Sequence, residues 1–247
     1  MQKKGNALMG MNSDSSHADS LTIIVPCFNE AENLPRLFGA INEVISSQKG
    51  DIKFIIVENG SRDGSRRILQ NQKGNEDIKV LYLDENYGYG AGILAGVQES
   101  QTYWTGWIHA DLQIPLETIP TAYQLVREKN QPVKGVRKGR SLPDRVYTFG
   151  MSLICSILFG TRLSDINGQP TIYPTTFLRA APKPPKDFSL DLYFYIQARR
   201  SGFTLERLSA KMSPRIEGQS SWNLGLRSRV KMIKRTLQFA VQLRKTL

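Results

Sequence analysis

The chain has 247 residues, of which 40% are hydrophobic and 22% charged, and it is long enough to bury a core as one domain or as one domain with an appendage. No run reaches the roughly 20 apolar residues of a membrane span; the nearest, 146–159, is shorter and broken by Thr148, Gly150, Ser152 and Ser156. The formal charge of +11 points to a polyanionic partner, with seven Lys or Arg and no acid in 227–247.

Residues 1–20 are polar and small, without the apolar stretch of a signal peptide, and are expected to form a disordered tail. "LTIIV" (21–25) then reads as a buried strand, followed by helical spacing over 30–46 through Leu34, Leu37, Phe38, Ile41 and Ile45. "FIIV" (54–57), "VLYL" (80–83) and "WIHA" (107–110) repeat the strand pattern. Helices are expected through Ile68 and Leu69, near 93–97, and through Ile119, Tyr123 and Val126. Short unbroken apolar strands alternating with amphipathic helices predict a mostly parallel α/β sheet with helices on both faces. Cys27 and Cys155 fit no zinc or CxxC spacing and read as reduced core thiols.

Ligands of such sheets sit beyond the carboxyl ends of the strands. The four turns there read "PCFNE", "ENGSRDGS", "DENYGYGAG" and "DLQIP". The glycine ladder Gly88, Gly90, Gly92, Gly96 follows the third strand, not the first, which argues against a dinucleotide fingerprint. It either lets backbone N–H groups approach an anion or allows tight turns and close helix packing. Glu58, at a strand end, suits a ribose or a base edge. Asp63 either joins it or caps the next helix, and Asn59 and Gly60 either join it or make the turn. In an extended chain His109, Asp111 and Gln113 project to one side. Asp111 and Gln113 then offer hard oxygen ligands to Mg²⁺ or Mn²⁺, and His109 suits Mn²⁺ better.

Taken in order and spacing, "VPCFNEAENL", "VENGSRDGS", "NYGYGAGILAG" and "HADLQIPLE" resemble inverting GT-A glycosyltransferases of family 2, in the branch of the dolichyl-phosphate mannose and polyprenyl-phosphate sugar synthases. The resemblance covers 21–136 and returns in "VRKGR", "DINGQP" and "RIEGQSSWN". It implies a GT-A domain over 21–222, with a nucleotide-sugar half (21–136) and an acceptor half (137–222), followed by a basic amphipathic helix over 223–247. It further implies that Pro26, Phe28, Asn29, Glu30, Glu58, Asn59, Gly60, Gly88, Gly90, His109 and Asp111 surround the donor, with Asp111 and Gln113 toward a divalent metal. Arg137, Arg145, Gln169, Asp191, Arg215, Ser220, Ser221 and Trp222 fall to the acceptor side, Ser220 in a flexible loop over the donor. The sequence departs from the family at His109, where the first acid of D-x-D is usual, and at Asn59, where a second acid is usual. It departs again at Ser221, where a lysine is usual, and in "VYTFG", which lacks an expected serine.

The implied reaction displaces a nucleoside diphosphate from the anomeric carbon, so Asp111 and Arg145 are catalytic candidates and Arg215 a supplement at the leaving phosphates. An ionised phosphate acceptor attacks unaided, whereas a sugar hydroxyl needs a carboxylate. Asp191, in "FSLDLYFYI", and Asp165 are the candidate bases; for Asp191 a helix N-terminal acid is the competing reading. In the last helix Val230, Ile233, Leu237 and Val241 form one stripe, with Met232, Phe239 and Leu243 opposite. One stripe packs on the domain while the other meets an anionic membrane, or the helix is buried in the domain or a homodimer. The tail carries no aromatic platform for nucleic acid. The expected setting is cytoplasmic and peripheral on the membrane face, with a nucleotide diphosphate sugar and a lipid-linked or glycan acceptor as partners. Two alternatives remain: a hydroxyl transferase of polysaccharide synthesis, or a catalytically silent member that binds a nucleotide sugar or a partner glycosyltransferase.

Overall fold

The computed structural model describes residues 20–48, 50–72, 74–213 and 226–247, with the backbone alone for 226–232. The elements alternate as β1 (Leu21–Cys27), α1 (Leu34–Gln48), β2 (Ile52–Asn59), α2 (Ser65–Gln70), β3 (Ile78–Leu83), α3 (Tyr89–Glu99), β4 (Trp104–Trp107), α4 (Thr118–Lys129) and β5 (Val133–Lys138). Then come α5 (Leu142–Phe159), β6 (Thr171–Pro174), α6 (Thr175–Arg179), α7 (Leu190–Arg200), β7 (Glu206–Lys211) and α8 (Leu226–Thr246). Among the described residues, seven strands form one sheet in the order β3-β2-β1-β4-β6-β5-β7. It is mostly parallel; β6 alone runs against its neighbours β4 and β5.

Two apolar layers cover the sheet. Alternate side chains of β1 make the division: Ile23 and Val25 pack with α1 and α4, and Ile24 packs on the other face with Ile93 and Val97 of α3. Because β1 is flanked by β2 and β4, strand order reverses there. The loops leaving β1 and β4 lead to α1 and α4 of one layer, and the carboxyl edge of the strands at that point is the crevice where ligands of such sheets bind.

The expected boundary between donor and acceptor halves at 136/137 falls inside β5, and β5 lies between β6 and β7 of the same sheet. The two halves therefore share one continuous support. The expected strand 107–110 is shifted: β4 ends at Trp107, and only the Ile108 N–H continues its pairing, to the Ile24 carbonyl at 3.1 Å. In the last helix the packing face draws on both of the stripes read from the sequence. Ala240 and Leu243 are buried against the domain, Ile233, Leu237 and Phe239 are partly so, and Val241 faces outward. Val230 and Met232 have no described side chains, and the expected tail over 1–20 lies outside the described residues apart from Ser20.

Candidate active site

The first two turns are stitched together. The Asn29 N–H donates to Ser61 Oγ (3.0 Å), and the Arg62 N–H to Asn29 Oδ1 (2.8 Å). The Glu30 and Ala31 N–H groups donate to Ser65 Oγ (3.0 Å) and Asp63 Oδ2 (2.9 Å). Burial alone would raise the Asp63 carboxyl, but the Ser65 hydroxyl and the Ala31 and Ser65 amides outweigh it and hold it below its ordinary value. Asp63 thus organises the turn. Pro26 and Phe28 are half-buried at the crevice, and the Glu30 carboxylate accepts from Asn33 Nδ2 at 2.6 Å.

Glu58 is buried. Its carboxylate accepts from the Ser61 N–H (2.5 Å) and pairs with Arg66 Nε at 2.8 Å, so it shapes the turn from beneath instead of offering both oxygens to a base. Asn59 ties the second turn to the third. Its Nδ2 donates to the Gly88 carbonyl (3.0 Å), and its Oδ1 accepts from the Tyr87 N–H (3.2 Å). A carboxylate here would lose the first of these bonds, which gives the Asn59 departure a local reason.

The glycine ladder serves packing more than anion contact. A Cβ on Gly88 would come within 2.5 Å of the Lys186 carbonyl oxygen, and one on Gly90 within 2.6 Å of the Pro185 oxygen. The Ala91 N–H already donates to Lys186 O at 3.0 Å. The connector over 181–187 therefore covers the start of α3, and Gly88 and Gly90 are positions of close backbone approach. At Gly60 a Cβ would reach 2.5 Å from the Glu85 carbonyl carbon.

At the fourth turn the extended spacing does not survive. Ala110 and Asp111 form a turn, Leu112 takes φ +55°, and Asp111 Oδ1 accepts from the Gln113 N–H at 3.1 Å. His109, Asp111 and Gln113 are all half-buried at the sheet edge. The His109 ring lies 5.2 Å from the Tyr89 ring, which stacks on Phe188 at 4.3 Å. Among the described residues no group of three or more His, Cys, Asp or Glu converges as a metal cage. A carboxylate and an amide oxygen still suit a hard cation that takes its remaining ligands from water and a diphosphate.

A buried network anchors this turn. The His109 N–H donates to Gln169 Oε1 (2.9 Å), Gln169 Nε2 to the Tyr89 hydroxyl (2.7 Å), and that hydroxyl to Asp191 Oδ2 (3.2 Å). Burial, then the Asp191 charge, holds Tyr89 protonated well above its ordinary value. Trp107 Nε1 donates to Asp191 Oδ1 (3.2 Å), and Lys134 Nζ lies 3.7 Å from the same oxygen. Burial lowers Lys134 to about 8 while Asp191 pulls it back up, so it is charged at neutrality. Asp191 is 1% exposed and Gln169 equally buried. Both brace the fourth turn from inside the fold, with the Asp191 carboxylate held by the Tyr89 and Trp107 donors.

Arg137 and Asp165 satisfy each other. The Arg137 N–H (2.6 Å), Nε (2.8 Å) and Nη2 all donate to the Asp165 carboxylate. Burial opposes the Asp165 charge, but the Arg137 contacts and the nearby Arg140 hold the carboxyl below its ordinary range. Arg145 stands exposed on α5 and lines a cavity of about 920 Å³ with Arg137, Arg140 and Asp165. Arg215, Ser220, Ser221 and Trp222 lie outside the described residues. Sequence reasoning missed Tyr89, Trp107 and Lys134. A lone lysine at the start of the β5 strand between Val133 and Gly135 was the one available signal.

The model of the family described as glycosyl transferase family 2 matches residues 22–182. The chain belongs to that family. An uncharacterized glycosyltransferase from Synechocystis is 26% identical over 82% of this chain and 64% of its own length. An undecaprenyl-phosphate 4-deoxy-4-formamido-L-arabinose transferase from Pseudomonas fluorescens is 35% identical over 40% of this chain and 30% of its own. The chain thus spans about two thirds or less of these curated relatives. Among solved structures, glucosyl-3-phosphoglycerate synthase from Mycobacterium tuberculosis, in complex with Mn²⁺, UDP and glucosyl-3-phosphoglycerate, superposes with a TM-score of 0.66 at 13% identity, covering 92% of this chain and 80% of that one. A mannosyltransferase from Pyrobaculum calidifontis in complex with GDP-Man and Mn²⁺ gives 0.62 at 16% identity, over 90% and 64%. The fold is GT-A.

Proposed function

We propose that the chain transfers a sugar, with inversion, from a nucleoside diphosphate sugar to a polyprenyl-phosphate or other lipid-linked acceptor at a membrane surface, in surface-glycan or glycolipid synthesis. The observation that carries this reading is the joining of four polar turns at one sheet edge: Asn29 to Ser61 and Arg62, Asn59 to Gly88, and His109 through Gln169 to Tyr89. The undecaprenyl-phosphate transferases among the relatives and the nucleotide-bound neighbours support it.

In the reaction the bond from the anomeric carbon to the diphosphate breaks as an acceptor oxygen bonds from the opposite face. Asp111 and Gln113 would hold Mg²⁺ or Mn²⁺, which when bound neutralises charge on the departing diphosphate. Phe28 and Glu30 border the nucleoside, over a turn that Glu58 and Asp63 hold in shape. Arg145 attracts the acceptor's anionic group. Asp191 and Asp165, the two candidate bases, are both spent on internal partners. This favours an acceptor that needs no base, and a phosphate monoester is largely ionised near neutrality, with a second pKa of about 6.

The test is calorimetric titration of UDP, GDP, CDP and dTDP, each with and without Mn²⁺, into the wild type and Asp111→Ala. Metal-dependent binding of one nucleotide, lost in the variant, is expected. Folded protein that binds none of them would sink the transferase reading and promote a silent partner role.

A further inference from the structure

We infer that α5 is a membrane-docking element whose outward face seats in the interfacial zone of a bilayer carrying anionic lipids. Docking of this kind serves the lipid-linked acceptor reading above and rests on it for its purpose. Its geometry is independent. Among the described residues, six of the ten exposed large hydrophobic side chains lie on this one helix. Leu142, Val146, Phe149, Leu153 and Ile157 recur at helical spacing along one face, with Phe149 69% and Ile157 74% exposed. The opposite face is fully used: Met151 and Cys155 are buried in the same apolar layer as Ala240 and Leu243 of α8. A contiguous apolar stripe of this kind on a water-facing helix marks an interaction surface.

Charge selects the occupant. Arg140, Arg145 and Arg162 line the cavity along this face. Arg137 is already paired with Asp165, and the Asp144 carboxylate accepts from Ser141 Oγ at the helix start. A second copy of the chain would bring these cations against their own kind. Anionic head groups would meet them while the stripe enters the acyl boundary. The helix is about 27 Å long at ~1.5 Å per residue, with one polar face, so it lies in the membrane plane; no described helix is long and apolar enough to cross. The same cavity reaches Val136 and Arg137 at the end of β5, so docking brings lipid head groups to the acceptor side of the site.

The experiment is flotation of the full chain with vesicles of equal parts phosphatidylcholine and phosphatidylglycerol, against vesicles of phosphatidylcholine alone. The wild type is expected to float with the anionic vesicles. Phe149→Glu with Ile157→Glu is expected to weaken binding ~10-fold or more and to keep the wild-type melting temperature, and Val241→Glu on α8 is expected to change nothing. Flotation of the double variant equal to wild type, or none by folded wild type, overturns the inference. So does a lipid-free dimer that the double variant abolishes, or a fall in its melting temperature without loss of flotation; these outcomes assign the face to a second copy or to another segment of this chain. Nucleotide binding with Mn²⁺, measured on the same samples, separates the two readings: vesicle binding without nucleotide binding leaves docking standing and removes the transferase, and the reverse removes docking alone.

Discussion

Asp165 and Lys134 hold the β5 side of the site together, and each is a charge that water cannot reach freely. For Asp165 the carboxyl is lowered in the fold. Its stabilisation is therefore complete above the ordinary carboxylate value and is lost as pH falls through the lowered one. Asp165→Asn should cost about 3 kcal/mol, the scale of a broken buried pair, and should flatten the acid limb of stability followed by denaturant titration. Lys134 has the same pH sense from a different cause: burial puts its folded value at about 8, below 10.5, so stability on its account also rises with pH between those two values. Lys134→Met leaves Asp191 unpaired and should cost roughly 3–5 kcal/mol. Adding Asp191→Asn should recover part of that loss, and a double-mutant cycle in which the two losses simply added would remove the pair from the explanation.

Among elements, α3 and α8 make opposite points about what periodicity can reveal. The start of α3 carries glycines because the 181–187 connector presses on it, a contact between segments about a hundred residues apart that no local pattern announces. Gly90→Ala must displace the Pro185 or Asp187 carbonyl, which a Cβ would meet at 2.6 and 2.8 Å. A loss of about 1–3 kcal/mol is expected, with increased proteolysis of the connector as the local readout. For α8 the spacing marked a helix but left its facing open, because apolar residues stand on two sides. Leu243→Ala should cost about 2–3 kcal/mol and Val241→Ala under about 0.5; the reverse order, in thermal melts, would show the packing face to be wrong.

For the whole molecule, β1 and β2 were legible because each holds a continuous apolar run buried on both faces. β3, at the sheet edge and partly exposed, was marked by its apolar run alone, and β4 lies three residues before the expected strand. "TIYP" (171–174) and "ERLSAK" (206–211) were not legible, since a four-residue strand and a polar-rich one acquire their meaning only from β4 and β5 beside them. The turns of the site could be located for the same reason that the strands could. Their side-chain duties could not, because Gln169 and Asp191 reach the site from residues 60 and more positions away. Binding of the preferred nucleotide with Mn²⁺ should stabilise the fold by mass action, by about 2.7 kcal/mol at a hundredfold excess over Kd, and so raise the melting temperature of wild type but not of Asp111→Ala.

The strand order also sets a timetable for a chain that emerges from its N-terminus. Residues 21–107 contain all of β3-β2-β1-β4, so this half of the sheet can pair as soon as β4 is made. The remaining strands obey another clock. β4 waits for β6, with Thr105 opposite Tyr173, and β5 waits for β7, with Val133 opposite Glu206. Such distant pairings are the slow part of assembly, and until they close, Lys134 and the aromatic side chains around Asp191 stand open to solvent. The β5–β7 side is the late-maturing side, so substitutions there should reduce the yield of native protein during synthesis more than their cost to the finished fold would suggest.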